Sequence, residues 1–250
     1  MALSAIFIIV PLAIMGSNGV NMLGKTAKAL VAMALRVGIL ALLVYWIVRC
    51  ENLALDILSI LVLLLYTAFD VKTKAHLRSM SYTWPVMAGL FAGVAFTGGC
   101  LLLVNITSLA ALHTRYILPL FVVLTAGTAD ILARSVAVYY AGLRNHNQYY
   151  YYMLGNGATH NEALSYLMRR ALLQAATRGV SVAAGCSVVG AGSVLMWGMV
   201  MGGASVADAV AMLVLLALGT FCSSMVAIVV AVKVARRYSL DAYGRIKTTE

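Results

Sequence analysis

Residues 29–48, ALVAMALRVGILALLVYWIV, make a run of twenty with a single charge. As a helix rising 1.5 Å per residue it reaches about 30 Å, the thickness of a bilayer's hydrocarbon core. Lipid offers no partner to backbone N–H and C=O groups, so such a run must satisfy them within itself. Helix does this. A barrel would need alternating segments of about 10 residues, and these runs do not alternate. Similar runs recur along the 250-residue chain, which is 63% hydrophobic and 10% charged. Soluble domains carry about 25% charged residues. The expectation is an all-α, polytopic membrane protein forming one transmembrane domain over residues 1–250.

Seven spans fit, at roughly 2–18, 28–48, 52–69, 85–105, 117–143, 179–201 and 208–233. The first has the length of a signal-peptide core but no Lys or Arg before it. It therefore reads as a retained span. Of the eighteen Lys and Arg residues, fourteen fall on one side of this arrangement, including Lys25, Lys72, Arg144, Arg169, Arg178 and Arg236. Arg49 and Arg115 fall on the other, and Arg36 and Arg134 lie within spans. The positive-inside rule makes the rich side cytoplasmic. It places the N-terminus outside, the C-terminus inside and the protein in the plasma (inner) membrane. The net charge of +10 thus reports topology, and no nucleic-acid partner is expected. Cys50, Cys100, Cys186 and Cys222 show no C-x-x-C spacing and read as small buried hydrophobes.

The longest polar stretch, about 145–178, lies between spans five and six and is too long for a plain connector. Within it, Thr159 followed three positions later by Glu162 is a capping-box pattern. Leu164, Leu167, Met168 and Leu172 keep one apolar face. Gly155 and Gly157 supply a tight turn before the cap. The expectation is an ordered helix start presented to the cytoplasm, serving either as an interfacial helix on lipid or as a docking knob for a soluble partner.

Residues 19–26, GVNMLGKT, match the phosphate-loop pattern letter for letter. The context opposes a nucleotide site, because the next segment is a membrane span and the chain has only eight acidic residues. Lys25 and Lys28 read as membrane anchors instead.

Arg36, Asp130 and Arg134 sit inside spans, where each needs a partner or a wet cavity. Asp130 and Arg134 are four residues apart and can pair on one helix face. Arg36 lies at a similar depth, so a three-residue cluster is possible, either as a structural salt bridge or as part of a substrate path. Asp56 and Asp208, near outer span ends, are expected to be interfacially exposed. Met196 and Met199 share a face of span six; their thioethers suit core packing or weak soft-metal ligation. No metal site is assigned.

LGNGATHNEALSYLMRRAL, followed by a Gly-rich span, resembles the membrane subunit of the Fet-type ABC exporters. This is the family of bacterial iron-export permeases and plant aluminium-tolerance membrane subunits. Its Leu-x-x-Gly-Ala-Thr-x-x-x-Ala pattern is matched by Leu154, Gly157, Ala158, Thr159 and Ala163. Arg169 matches a basic residue in the helix that follows, and Arg36 matches the second-span arginine. Pro119, Ala126 and Gly127 match a Pro-initiated, Ala-Gly-bearing span. The resemblance runs from about Ala5 to Tyr238. The chain departs from the pattern at Thr128 (Asn in the family), at Leu40 (Gln) and at residues 191–194 (Pro-Gly-Met-Met).

The resemblance implies a permease exporting a metal ion or other small solute. It implies no enzyme activity in this chain and no cofactor of its own, with ATP and Mg in a separate cytoplasmic ATP-binding subunit. Leu154, Gly155, Gly157, Ala158, Thr159, Glu162 and Ala163 would couple to that subunit, and two permease copies would pair around the path. Arg36, Asp130, Arg134, Met196 and Met199 are the substrate-path candidates. The alternative is an ion-gradient-driven secondary transporter, for which the Asp130 cluster is the relay candidate.

Overall fold

The computed structural model describes residues 23–50, 53–75, 83–105, 114–145, 147–185 and 193–239. Among them are eight helices and no strand: α1 (Leu23–Cys50), α2 (Leu53–Lys74), α3 (Thr83–Asn105), α4 (Thr114–Asn145), α5 (Asn147–Gly155), α6 (His160–Ala184), α7 (Ser193–Met201) and α8 (Val206–Ser239). The expected first span lies outside the described residues. Five helices are long and apolar enough to cross a membrane, over Lys28–Ile47, Ala54–Lys74, Thr83–Leu103, Ile117–Asn145 and Val206–Arg237. They coincide with the expected spans two, three, four, five and seven.

Two compact units divide the chain at Asn52. The first contributes α1, whose opening turn holds Leu23–Thr26, the end of the phosphate-loop match. This helix then continues as an apolar span.

The second unit is a helix bundle centred on α8. Its tightest seam joins α3 to α8. A Cβ on Gly89 would lie 2.5 Å from the Ala227 carbonyl oxygen, and one on Gly93 would lie 2.5 Å from that of Ser223. Gly89 and Gly93 form a G-x-x-x-G face laid against the small-residue ladder Ser223, Ala227 and Ala231. In lipid there is no hydrophobic drive between helices, so backbone approach through small residues does this work. Thr97 and Leu101 meet Gly219 further along, so α3 and α8 run antiparallel.

Helix α4 runs parallel to α8. Gly127 abuts Thr220. The buried Thr128 hydroxyl lies 2.7 Å from the Leu124 carbonyl and 2.9 Å from Ser223 Oγ. The carbonyl can only accept, so Thr128 donates to it and accepts a hydrogen bond from the Ser223 hydroxyl. Thr128, where the family pattern has Asn, is therefore a helix–helix contact here. Gly142 against Leu167, with Asp130 against Arg178 further along, makes α6 antiparallel to α4. Gly179 against Phe221, with Asn161 against Arg236 at the other end, makes α6 antiparallel to α8. Successive long helices α3, α4, α6 and α8 thus alternate in direction.

Three expectations change. The sixth span was placed at 179–201, but helix α6 runs unbroken from His160 to Ala184 and α7 is a separate nine-residue helix. Arg178 suggested a span edge, yet it lies inside the helix, with Asp130 of α4 as its partner. Asp56 is buried, at 2% relative exposure, in the first turn of α2, where the helix dipole favours a carboxylate. Finally, Cys50, Cys100 and Cys222 are free thiols on exposed faces.

Candidate functional site: a capped helix start and an ionic cluster

Helix α5 ends and α6 begins across four residues. The Ala158 N–H donates to the Met153 carbonyl and the Gly157 N–H to that of Leu154, each at 3.0 Å. These bonds close α5 with Gly157 at φ +84°, a left-handed conformation that strains other L residues. Thr159, extended at φ −70° and ψ 156°, is the N-cap of α6. Its hydroxyl accepts the Glu162 N–H at 3.4 Å, and Glu162 Oε2 accepts the Thr159 N–H at 2.8 Å. The capping box read from the sequence is present in both directions.

The Thr159 hydroxyl also donates to Oε2 at 2.9 Å, and the Thr159 backbone N–H first and this hydroxyl next hold the Glu162 carboxyl below the usual glutamate pKa. Beneath the turn, the buried Tyr150 hydroxyl meets His160 Nδ1 at 2.8 Å, tying α5 to the first residue of α6. Burial, and secondarily Tyr151, pushes the Tyr150 phenol pKa up. Ala163 and Leu164 are buried, whereas Gly155, Gly157, Thr159 and Glu162 are exposed. A Cβ on Gly157 would meet no atom within 4 Å. The turn is a stiff corner, anchored below and open above.

The same device recurs between α7 and α8. Gly203, at φ +90°, donates to the Val200 carbonyl and Ala204 to that of Met199. Ser205 then caps α8, accepting the Asp208 N–H at 3.1 Å and donating to Asp208 Oδ2 at 2.6 Å. Asp208 is exposed, as expected. The sequence signal for this second corner was Gly-Ala-Ser-x-x-Asp, parallel to Gly-Ala-Thr-x-x-Glu.

Along α4, Asp130 draws two arginines. Arg134 Nε approaches Oδ1 at 3.4 Å, and Arg178 Nη2 approaches Oδ2 at 3.4 Å. The i, i+4 pair was expected. Arg178 was not, since it had been counted among the cytoplasmic charges. Arg36 belongs to α1, in the other unit. Met196 and Met199 lie half-buried on α7. Among the described residues no group of three or more His, Cys, Asp or Glu side chains converges as a metal site.

No curated protein and no solved structure matches the chain. Residues 1–239 match a family described as an uncharacterised protein family, UPF0014. The coverage spans every helix described above, and the apolar helices fit a transporter permease. The chain is a multi-pass membrane protein and belongs to the UPF0014 family.

Proposed function

We propose that this chain is the membrane-spanning permease subunit of an ABC transporter, exporting a metal ion or other small solute. A separate cytoplasmic subunit binds and hydrolyses ATP with Mg, and two permease copies pair around the path. The observation that carries the reading is the corner at Gly157–Glu162. It is exposed, small at its apex and capped on both sides, and it opens a helix that runs into the bundle without a break. A soluble subunit gripping that corner moves α6 as a unit. The match to Leu-x-x-Gly-Ala-Thr-x-x-x-Ala supports this.

Co-purification of the chain with a candidate cytoplasmic ABC ATPase from the same genome tests the reading, followed by ATP hydrolysis measured against a panel of metal ions and small solutes. A stable complex whose hydrolysis responds to one solute class is expected. Solute movement without any ATPase, driven by an ion gradient and abolished by Asp130→Asn, is the result that favours a secondary transporter instead.

A further inference from the structure

At the basic end of the bundle, an open cleft of about 730 Å³ lies between the last turns of α8 and the start of α6, lined by Asn161, Val230, Lys233, Val234, Arg236 and Arg237. Small-ligand sites span about 300–1,000 Å³. Val230, Lys233, Val234 and Arg237 follow i, i+3, i+4, i+7 spacing and share one face of α8. That face passes from aliphatic to cationic toward the helix end.

Arg236 is half-buried. One of its terminal nitrogens donates to Asn161 Oδ1 at 3.3 Å and the other lies 3.2 Å from Met168 Sδ, both neutral groups. Its Nε is buried and has no hydrogen-bond partner. Among the described residues, none of the three cations forms an ion pair. The neighbouring carboxylate, Glu162, is held by Thr159. Three cations without an ion pair among the described residues thus line a cleft whose other walls are Asn161 and two valines.

We propose that this cleft binds the phosphate of an anionic phospholipid, with Arg236, Arg237 and Lys233 on the headgroup and Val230 and Val234 along the acyl chain. The apolar-to-basic gradient along a membrane-crossing helix selects an amphiphile over a free anion or an acidic protein surface, which would leave the valines facing water. Because Asn161 is the second residue of α6, the lipid sits between that helix and the last span. It would bias the angle between them. The placement of this end at the membrane's cytoplasmic edge rests on the charge distribution, and lipid binding itself does not depend on the transport reading.

The test uses the full-length chain in detergent and native mass spectrometry, titrated with short-chain phosphatidylglycerol, with phosphatidylcholine and with inorganic phosphate. Retention of phosphatidylglycerol over phosphatidylcholine is expected. It should fall about fivefold for each cation removed in Arg236→Gln, Arg237→Gln and Lys233→Gln. Arg237 and Lys233 are exposed, so their variants keep the test open if Arg236→Gln fails to fold. Lys72→Gln, on α2, should leave retention unchanged. Equal retention of the two lipids, or retention indifferent to all three substitutions, overturns the proposal. So does displacement of the lipid by millimolar phosphate, which would mark a soluble-anion site. Loss of ATPase association in Arg237→Gln with lipid retention unchanged would assign the cleft to the protein partner and likewise overturn it.

Discussion

Arg178 on α6 and Arg134 on α4 approach opposite oxygens of the Asp130 carboxylate, each at 3.4 Å. One acid thus answers two bases from two helices, leaving a local excess of one positive charge inside a span. Such an arrangement is costly to break from one side, because the partner left behind is a charge without compensation.

Removing the acid should therefore cost more than removing both sides of the interhelical pair. Asp130→Asn is expected to lower thermal stability in detergent, and adding Arg178→Gln should recover part of the loss. A coupling near 0.6 kcal/mol, the average for interhelical polar pairs in a membrane protein, is the expected size. Strictly additive losses for Asp130 and Arg178 would place the stabilisation elsewhere.

Glu162 should titrate below the usual glutamate value, because the Thr159 donors favour its charged form. A carboxyl with a depressed folded pKa contributes stability that is fully present above the unfolded value. That contribution fades as pH falls through the folded one. The Glu162 side-chain carbon resonance should report a midpoint below 4.5. Thr159→Val should move the midpoint part of the way back, since the backbone N–H remains. A midpoint at or above the ordinary value would mean the capping box does not persist in solution.

Gly157→Leu and Gly157→Asn separate strain from contact. The position is left-handed at φ +84°, which costs an ordinary residue about 1–2 kcal/mol and Asn less. The apex is open: a Cβ there meets no atom within 4 Å. If the corner seats in a partner ATPase, both variants should lose association in pull-down, with Leu alone also showing lower thermal stability. Full association in both would remove the corner as the docking point.

At the α3–α8 seam, Gly93→Leu should prevent assembly of the bundle. Its Cβ alone would lie 2.5 Å from the Ser223 carbonyl and 2.9 Å from the Ala227 methyl. Gly99, on the same helix with nothing within 4 Å of a Cβ, should accept Ala with little change. Monodispersity on size exclusion distinguishes the two outcomes, and a well-behaved Gly93→Leu protein would contradict the seam.

A cysteine at Asn156 should react with thiol reagents only after the membrane is opened, given the basic residues gathered at this end of the bundle. Labelling by an impermeant reagent on intact cells would reverse the assigned orientation.

The long apolar helices were legible because bilayer thickness and backbone satisfaction leave one local solution. The capping box was legible too, because Thr159, Glu162 and the glycine before them act within a few residues of one another. What escaped depends on which distant segments meet. The partnership of Arg178 with Asp130 joins residues 48 apart in the chain. In sequence Arg178 looks like one more anchoring charge. The G-x-x-x-G of Gly89 and Gly93 went unread, because its meaning needs the small residues of α8 opposite. The second corner at Gly203–Asp208 passed unnoticed because its cap is Ser with Asp rather than Thr with Glu, a change that preserves the hydrogen bonds while altering the letters.

The continuity of α6 has a mechanical consequence. Eighteen positions separate His160 from Arg178, about 27 Å along the axis, with no proline in between to act as a joint. A lever of that length has almost no compliance to absorb a push at its base. A tilt of about 5° there sweeps the far residue sideways by about 2 Å over the same length, comparable with the slack in a 3.4 Å ion pair. If the proposed partner subunit pushes on the corner, the Arg178–Asp130 pair is where that displacement would first be felt.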